Sequence, residues 1–424
     1  MSIIVAIIAL SIIIIIHELG HFIVARAVGI SVKEFSIFMG PKLFSKEKNG
    51  TIYSIRAIPI GGFVNLEGEE EDIESKTSFS SKKPYEKILV IAAGPVFNIL
   101  FALIALFTLF LFTGYSTDTD TVMIKDMPAY EAGLQNGDEI VSIDGKKVLD
   151  PLDLTILIYQ NNEQAVNVEY KRNGEIYNKD IIPDREGGIN YLVGFQTVGE
   201  SLKVVDISKD SNGYKNGLRI DDVVTAINNI KIETRTQLVE IMNSNKEKDV
   251  KVTYMRDDKS YDIVITPVIS KQPIYYNLGI YYNYSSINVF KALKHSINFS
   301  LSTVRSIYYS ILWLVTGAVS LKEVMGPVGI VTTLGNSVKQ DGFKLIIMSL
   351  VNMMAFISLN LGLMNLLPIP ALDGSKIIIY TIEGIRGKKF DVKKTAIVSF
   401  IGLVCLMALL VATTFNDISR IFGW

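Results

Sequence analysis

The chain has 424 residues, of which 49% are hydrophobic and 20% are charged, and its formal net charge is −1 at pH 7. A net charge this close to zero gives no indication of a nucleic-acid partner. The single cysteine, Cys405, excludes an intrachain disulfide and a multi-thiolate metal site, so a metal ion would need His, Asp or Glu ligands.

Residues 3–28 form the first apolar segment, which is long enough to cross a bilayer. The segment contains His17-Glu18-Leu19-Gly20-His21, and ionisable residues at membrane depth are costly enough to suggest a function. His17 and His21, the histidine pair, are four residues apart, so a helix places both imidazoles on one face. This is the His-Glu-x-x-His arrangement, which supplies two ligands for zinc and a glutamate able to act as general base.

A β-hairpin is predicted for residues 32–64, held against the membrane face. Polar and apolar residues alternate there, and Asn49-Gly50 is a favourable two-residue turn. We expect Pro59 and the pair Gly61-Gly62 to end regular strand pairing. The acidic run 67–74 that follows is expected to be a solvated linker.

A second membrane span is predicted at 88–112, which completes an N-terminal membrane part, 1–113. Residues 114–285 have the composition of a soluble region and contain an internal repeat. A shift of about 84 residues brings Gly133-Leu134 onto Gly217-Leu218. A repeat of this length indicates two copies of one small α+β domain, at 114–190 and 191–285.

Residues 286–342 are predicted to form amphipathic or interfacial helices, since the apolar patch at 307–319 is short for a span. The remaining chain, 343–424, is a second membrane part with spans at 343–372 and 395–415. The first of these ends in a stretch that contains Pro368 and Pro370, which cannot both sit in a regular helix. We therefore expect unwound backbone there, enclosed by protein or beside a water-filled cavity.

Lys and Arg are concentrated after the first span and after Asp373, and none precedes His17. The positive-inside rule then places both basic loops in the cytoplasm and the N-terminus and residues 114–285 outside. Four spans bring the histidine pair and Asp373 into the same cytoplasmic half of the bilayer. A further crossing at 307–319 would separate them, so the charge distribution favours four spans.

The sequence resembles the site-2 protease family of intramembrane zinc metalloproteases, in the bacterial branch that carries tandem PDZ domains. Residues 132–145 resemble the signature of bacterial PDZ domains, and the likeness extends over nearly the whole chain. The other motifs that carry the resemblance are His17-Glu18-x-x-His21, Gly40-Pro41, Ile58-Pro59-Ile60-Gly61-Gly62, Ala93-Gly94-Pro95-x-x-Asn98, Gly326-Pro327-Val328-Gly329 and Asn365-x-x-Pro368-x-Pro370-x-Leu372-Asp373-Gly374. One departure is Ser375-Lys376, where the family usually continues with Gly and then His or Arg.

The resemblance implies a polytopic α-helical membrane protein with about four transmembrane helices, a membrane-associated β-hairpin and two extracytoplasmic α+β PDZ domains. It implies one Zn²⁺ per chain, held by His17, His21 and Asp373, with Glu18 as the general base. The protein would lie in the bacterial cytoplasmic membrane, with its active site in the cytoplasmic half of the bilayer.

The resemblance also implies the substrates: single-pass membrane proteins, such as anti-sigma factors and signal-peptide remnants, cleaved within the membrane during regulated intramembrane proteolysis. The hairpin would add a strand to the substrate, and the PDZ domains are expected to contact substrate ectodomains. Candidate substrate-binding residues are Asn360, Asn365, Gly61 and Gly62. For the two asparagines, a hydrogen bond that ties helices together is the competing interpretation.

Two other functions remain open from the residues alone. A membrane metal transporter could use intramembrane His and Asp as transit ligands, although it would not need Glu18 as a base. A non-catalytic scaffold could use its PDZ domains alone and would tolerate loss of Glu18.

Overall fold

The computed structural model describes residues 2–69, 71, 73–159, 163–192, 194–197, 201–207, 211–246, 248–285, 288–320, 324–337 and 343–422. The chain divides into two compact units. The helical unit comprises Met1–Tyr115 and Ser286–Trp424, and the β-rich unit comprises Ser116–Ser285.

The secondary structure follows in chain order. The helices are α1 (Ser2–Ala27), α2 (Pro84–Thr113), α3 (Pro128–Glu131), α4 (Pro151–Ile158), α5 (Asn212–Lys215), α6 (Arg235–Asn245), α7 (Val289–Thr316), α8 (Pro327–Ser337), α9 (Phe343–Asn365), α10 (Asp373–Arg386) and α11 (Val392–Phe422). The strands are β1 (Val32–Lys48), β2 (Thr51–Leu66), β3 (Tyr115–Met123), β4 (Glu139–Ile143), β5 (Lys146–Lys147), β6 (Val166–Arg172), β7 (Glu175–Ile181), β8 (Asp184–Leu192), β9 (Phe195–Gln196), β10 (Asp206–Ile207), β11 (Val223–Ile227), β12 (Ile230–Lys231), β13 (Val250–Arg256), β14 (Lys259–Ile265), β15 (Val268–Asn277) and β16 (Ile280–Ser285). A short 3-10 helix, Phe79–Ser81, precedes α2.

Four helices of the described chain are long and apolar enough to cross a membrane, and they coincide with the four predicted segments. These stretches are Ile4–Ala27, Pro84–Thr113, Ile346–Asn365 and Lys394–Ser419. The fold is therefore that of a helical membrane protein. Within 286–342 the structure has α7 and α8, while 286–287, 321–323 and 338–342 lie outside the described residues.

β1 and β2 form the predicted hairpin, with Asn49 and Gly50 both at positive φ (52° and 74°), as a type I′ turn requires. Regular pairing is interrupted at residues 59–61, as expected, but it resumes at Gly62. Residues 34–37 of β1 pair both with 52–55 and with 62–65. Pro59 has no ladder partner among these pairs, so its missing N–H costs the sheet nothing. The segment 62–66, here the edge segment, therefore lies at a border of this small sheet.

The acidic run after the hairpin also departs from the expectation of a solvated linker. Lys376 Nζ lies 2.8 Å from Glu69 Oε1, and Thr77 Oγ1 donates to Glu67 at 2.7 Å. The run thus folds back onto α10. Its residues 70 and 72 lie outside the described part of the chain.

Glycines allow the helices of this unit to approach one another closely. A Cβ on Gly20 of α1 would collide with the carbonyl of Ala93 on α2. A Cβ on Gly362 of α9 would lie 2.8 Å from the carbonyl oxygen of Pro95. Both contacts explain why small residues stand where α2 passes between α1 and α9.

The chain between α9 and α10 is non-helical, which confirms the unwinding predicted after Asn365. The helix α10 lies where the sequence predicts a basic loop, and only Lys376 and Arg386 of the basic residues in that stretch belong to the helix. Gly374 is buried in its first turn, where a Cβ would collide with the carbonyls of Leu366 and Leu367. This turn brings Asp373 back toward α1 and α2.

The β-rich unit shows the repeat in three dimensions. Each copy has a four-stranded sheet of the same order, β5-β4-β6-β7 and β12-β11-β13-β14. Arg172 lies 2.7 Å from Asp138 in the first copy, and Arg256 lies 2.6 Å from Asp222 in the second. Both acids are almost fully buried, so these ion pairs are equivalent structural elements.

The two copies have separate hydrophobic cores. The core of the second copy draws its residues from 202–265. The core of the first copy combines residues 123–181 with Leu278 and Ile280, and β16 pairs with β3. The sequence of the second copy thus lies between two parts of the first copy. The internal repeat does not show this, because it covers only the elements that the two copies share.

Candidate metal centre

The predicted ligands converge on one point in the helical unit. The histidine pair lies on α1, and Asp373 is the first residue of α10. His17 Nε2 lies 3.1 Å from His21 Nε2 and 3.2 Å from Asp373 Oδ2, and His21 Nε2 lies 3.6 Å from the same oxygen. His17 is buried and the other two are half-buried.

These separations match those of a tetrahedral zinc site. Zinc–ligand bonds of about 2.0–2.1 Å place neighbouring ligand atoms about 3.3 Å apart. Two imidazole nitrogens and one carboxylate oxygen are also a donor set that zinc accepts. The three side chains could therefore hold one ion and leave a fourth position open.

A backbone carbonyl sets the orientation of His21. Its Nδ1 lies 2.9 Å from the carbonyl oxygen of Val90 on α2. Because a carbonyl only accepts, Nδ1 carries the proton and Nε2 presents its lone pair toward Asp373. This is the outer-shell hydrogen bond that fixes the tautomer of a metal-binding histidine.

Asn98 of α2 gives His17 a matching partner. The side chain is fully buried, its amide nitrogen lies 3.4 Å from His17 Nδ1, and its Oδ1 has no hydrogen-bond partner. Rotating the amide by 180° places Oδ1 where it accepts a hydrogen bond from the Nδ1–H group of His17. His17 then also presents Nε2 as a lone pair, so the orphaned oxygen fits a metal-binding tautomer.

Gly94 leaves space for both imidazoles. A Cβ at this position would collide with His21 Nε2 and would lie 2.8 Å from His17 Cε1. Any larger residue would fill the space that the rings occupy. The Gly94-Pro95 motif of α2 therefore has a direct steric role in the site.

Glu18 lies between α1 and the sheet. Its Oε2 accepts a hydrogen bond of 3.0 Å from the backbone N–H of Val64, in the edge segment. Gly62 is buried beside it, and a Cβ there would lie 3.8 Å from Glu18 Cγ. A carboxylate at this position is adjacent both to the ligand cluster and to the edge of a sheet.

The remaining candidates lie apart from these contacts. Gly61 has φ +77° and packs against Met39. Asn360 and Asn365 are half-buried on α9, and neither side chain hydrogen-bonds within the described part of the chain. The structure thus brings Gly62 to Glu18 but records no contact of the two asparagines with the histidine pair.

Two contributors could not be identified from the sequence: the carbonyl of Val90 and the N–H of Val64. Both are backbone groups, which every residue carries, so no residue type marks them. Only the packing of α2 and β2 against α1 gives them a role.

Comparison with known proteins agrees with this geometry. Residues 5–409 match Peptidase family M50. The chain is 30% identical to Regulator of sigma-W protease RasP of Bacillus subtilis, over 96% of this chain and 95% of the relative. It is 31% identical to Zinc metalloprotease RasP of Bacillus licheniformis, over 96% of both chains. The matched region thus includes the histidine pair and Asp373. The chain belongs to peptidase family M50.

Proposed function

We propose that this metalloprotease is a zinc-dependent intramembrane endoprotease that cleaves transmembrane segments of single-pass membrane proteins. The observation that carries the proposal is the convergence of the histidine pair and Asp373 beside Glu18. The histidine pair and Glu18 lie on a helix that is apolar enough to cross a membrane. Such side chains are costly at membrane depth and are retained there for function.

The chain would hold one zinc ion with His17, His21 and Asp373. When bound, zinc lowers the pKa of a water molecule and polarises the scissile carbonyl. Glu18 accepts the proton of the attacking water and returns it to the leaving amine. Val90 and Asn98 keep the imidazoles in the tautomer whose Nε2 atoms can bind zinc.

The edge segment supplies a binding mode for the substrate. A transmembrane helix hides its peptide bonds, so it must unwind before attack, and an exposed sheet edge offers N–H and C=O groups to the unwound strand. Gly61 and Gly62 lie where this edge begins, so the substrate strand would run beside them. The amides of Asn360 and Asn365 could pair with the unwound backbone, because within the described chain they have no other hydrogen bond.

The charge distribution supports an orientation with the N-terminus and the PDZ domains outside a bacterial cytoplasmic membrane and the metal centre in its cytoplasmic half. Four apolar helices agree with this topology. The PDZ domains would contact substrate ectodomains. The name of the Bacillus subtilis relative, Regulator of sigma-W protease, supports anti-sigma factors as substrates and a role in regulated intramembrane proteolysis, with signal-peptide remnants as the other class.

The test uses the purified full-length protein and its Glu18→Gln variant. We expect both to bind one zinc ion per chain and only the wild type to cleave a model single-pass substrate within its membrane segment. Cleavage by Glu18→Gln at the wild-type rate would overturn the mechanism. Absence of zinc from the wild type would overturn the metal site.

A further inference from the structure

A lysine and a glutamate form an ion pair in the interior of the helical unit, away from the ligand cluster. Lys87 lies in the first turns of α2 and is 5% exposed, and Glu383 lies on α10 and is 7% exposed. Lys87 Nζ is 3.9 Å from Glu383 Oε2. Charged groups this buried are rare unless they are paired.

The surroundings of the pair are specific. Lys87 Nζ faces the ring of Tyr380 at 5.0 Å and the ring of Phe79 at 5.8 Å, both within cation–π range. Glu383 Oε1 accepts a hydrogen bond of 2.7 Å from the backbone N–H of Phe390. Since Oε2 has no hydrogen bond, the ammonium of Lys87 is the charge that compensates it. Removing Lys87 would leave the buried Glu383 carboxylate without this counter-charge.

The pair is linked to the metal centre through two helices. Val90, whose carbonyl orients His21, lies one turn after Lys87 on the same side of α2. Asp373 is the first residue of the helix that carries Glu383. One short stretch of α2 therefore contacts both an imidazole of α1 and the helix that carries the third ligand.

The helix α10 needs such a contact, because the chain that leads into it is non-helical. Residues 366–372 have no regular ladder of hydrogen bonds to fix the direction of α10. The distance from Glu383 to Asp373 along a helix is about 15 Å. A small rotation of α10 about its packing on α2 would displace the Asp373 carboxylate from the histidine pair.

We propose that Lys87 and Glu383 are positioning residues of the metal centre: their ion pair fixes α10 against α2 and so sets the place of Asp373 relative to the histidine pair. The inference rests on the proposed zinc site. It assigns to the two residues a role in metal affinity and geometry rather than a contact with substrate.

The experiment measures zinc affinity of the full-length protein in detergent by competition with a chelator. The visible absorption spectrum of the cobalt-loaded protein reports the coordination geometry. We expect Lys87→Met to bind zinc about tenfold more weakly, as loss of an outer-shell partner does, and to change the cobalt spectrum. Lys87→Arg keeps the charge and should retain both properties.

The matched control is Arg172→Met, which removes the partner of buried Asp138 in the β-rich unit. It should lower stability and leave zinc affinity and the cobalt spectrum unchanged. If Lys87→Met does not fold, Glu383→Gln, which keeps the size of the side chain, takes its place with the same expectation.

Wild-type zinc affinity and spectrum in the folded Lys87→Met or Glu383→Gln variant would overturn the inference. An equal loss in Lys87→Arg and Lys87→Met would also overturn it, because the ion pair would then not be the cause. Absence of zinc from the wild type would contradict the proposed function itself. Normal zinc binding by the wild type and by the variants would contradict only the positioning role of the ion pair.

Discussion

Glu18 and Val64 are joined by a hydrogen bond of 3.0 Å between the Glu18 carboxylate and the Val64 backbone N–H. The donor belongs to the edge segment, where a substrate strand would need the same N–H. Glu18, the proposed general base, therefore occupies a group that the substrate must use. Substrate pairing and release of Glu18 are expected to occur together.

This competition can be measured with two inactive variants. Glu18→Ala removes the acceptor and leaves the Val64 N–H free, whereas Glu18→Gln keeps an acceptor oxygen. We expect Glu18→Ala to bind an uncleaved single-pass substrate about fivefold more tightly, since one hydrogen bond contributes about 1 kcal/mol. Binding is measured in detergent with a fluorescent substrate. Equal affinities of the two variants would contradict the competition.

Asp373 is expected to contribute more to metal binding than any outer-shell group. Asp373→Ala leaves two imidazoles, so zinc affinity should fall by more than about a hundredfold, the upper end of outer-shell effects. The measurement is chelator competition followed by metal analysis. Glu18→Gln is the matched control and should keep its zinc. Retention of zinc by Asp373→Ala at wild-type affinity would remove Asp373 from the ligand set.

Gly94 is expected to tolerate no side chain. Gly94→Ala directs a methyl group at both rings of the histidine pair, and overpacking of this kind costs about 1–3 kcal/mol. Gly384→Ala is the control, because its Cβ would meet Pro84 only at an ordinary distance of 3.5 Å. We expect loss of zinc and of thermal stability in Gly94→Ala alone. Wild-type zinc content in Gly94→Ala would show that the rings have room to move.

The sequence predicts the local part of this site well. A helix fixes the relation of residues four apart, so the shared face of the histidine pair follows from spacing, and the turn at Asn49-Gly50 follows from the φ preference of its residues. Asp373 is identified from its motif and from the number of membrane spans, since four spans place it in the same half of the bilayer as the histidine pair. Local structure does not identify it.

The contacts that complete the site could not be predicted in this way. The ion pair of Lys87 and Glu383 joins residues almost 300 positions apart in sequence, and each residue alone resembles an ordinary charge near a membrane surface. The N–H of Val64 is available because pairing resumes after the irregularity at Pro59, and the preference of proline for irregular positions does not show where pairing resumes. Such features depend on the packing of distant segments.

Glu34 links the stability of the small sheet to pH. Burial raises the pKa of its carboxyl, but hydrogen bonds from Ser54, Arg56 and Lys42 outweigh this effect, and the net pKa lies below the ordinary value. A depressed pKa in the folded state stabilises the fold above the unfolded value of about 4.3, and this contribution is lost as pH falls further.

We therefore expect amide-exchange protection of the hairpin to be independent of pH near neutrality and to decline below about pH 4. Arg56→Met removes one stabilising partner, so the pKa of Glu34 in the folded state should rise toward its unfolded value, and the decline should become smaller and end at a higher pH. Hydrogen exchange of peptides from residues 32–66 measures both. An unchanged profile in Arg56→Met would show that this arginine does not stabilise the charged form.

Asp417 of α11 is expected to fix the start of α8. Its buried carboxylate accepts hydrogen bonds from the backbone N–H groups of Gly326, at 3.1 Å, and Gly329, at 2.7 Å. These donors lie at the N-terminus of a helix, where they have no partner within the helix itself. Asp417→Ala should therefore destabilise the protein by about 2 kcal/mol, and Asp417→Asn, which keeps one acceptor oxygen, by less. Thermal unfolding of the zinc-loaded wild type and the two variants in detergent measures their relative stability. Equal unfolding midpoints for the wild type and Asp417→Ala would show that water replaces the carboxylate without loss of stability.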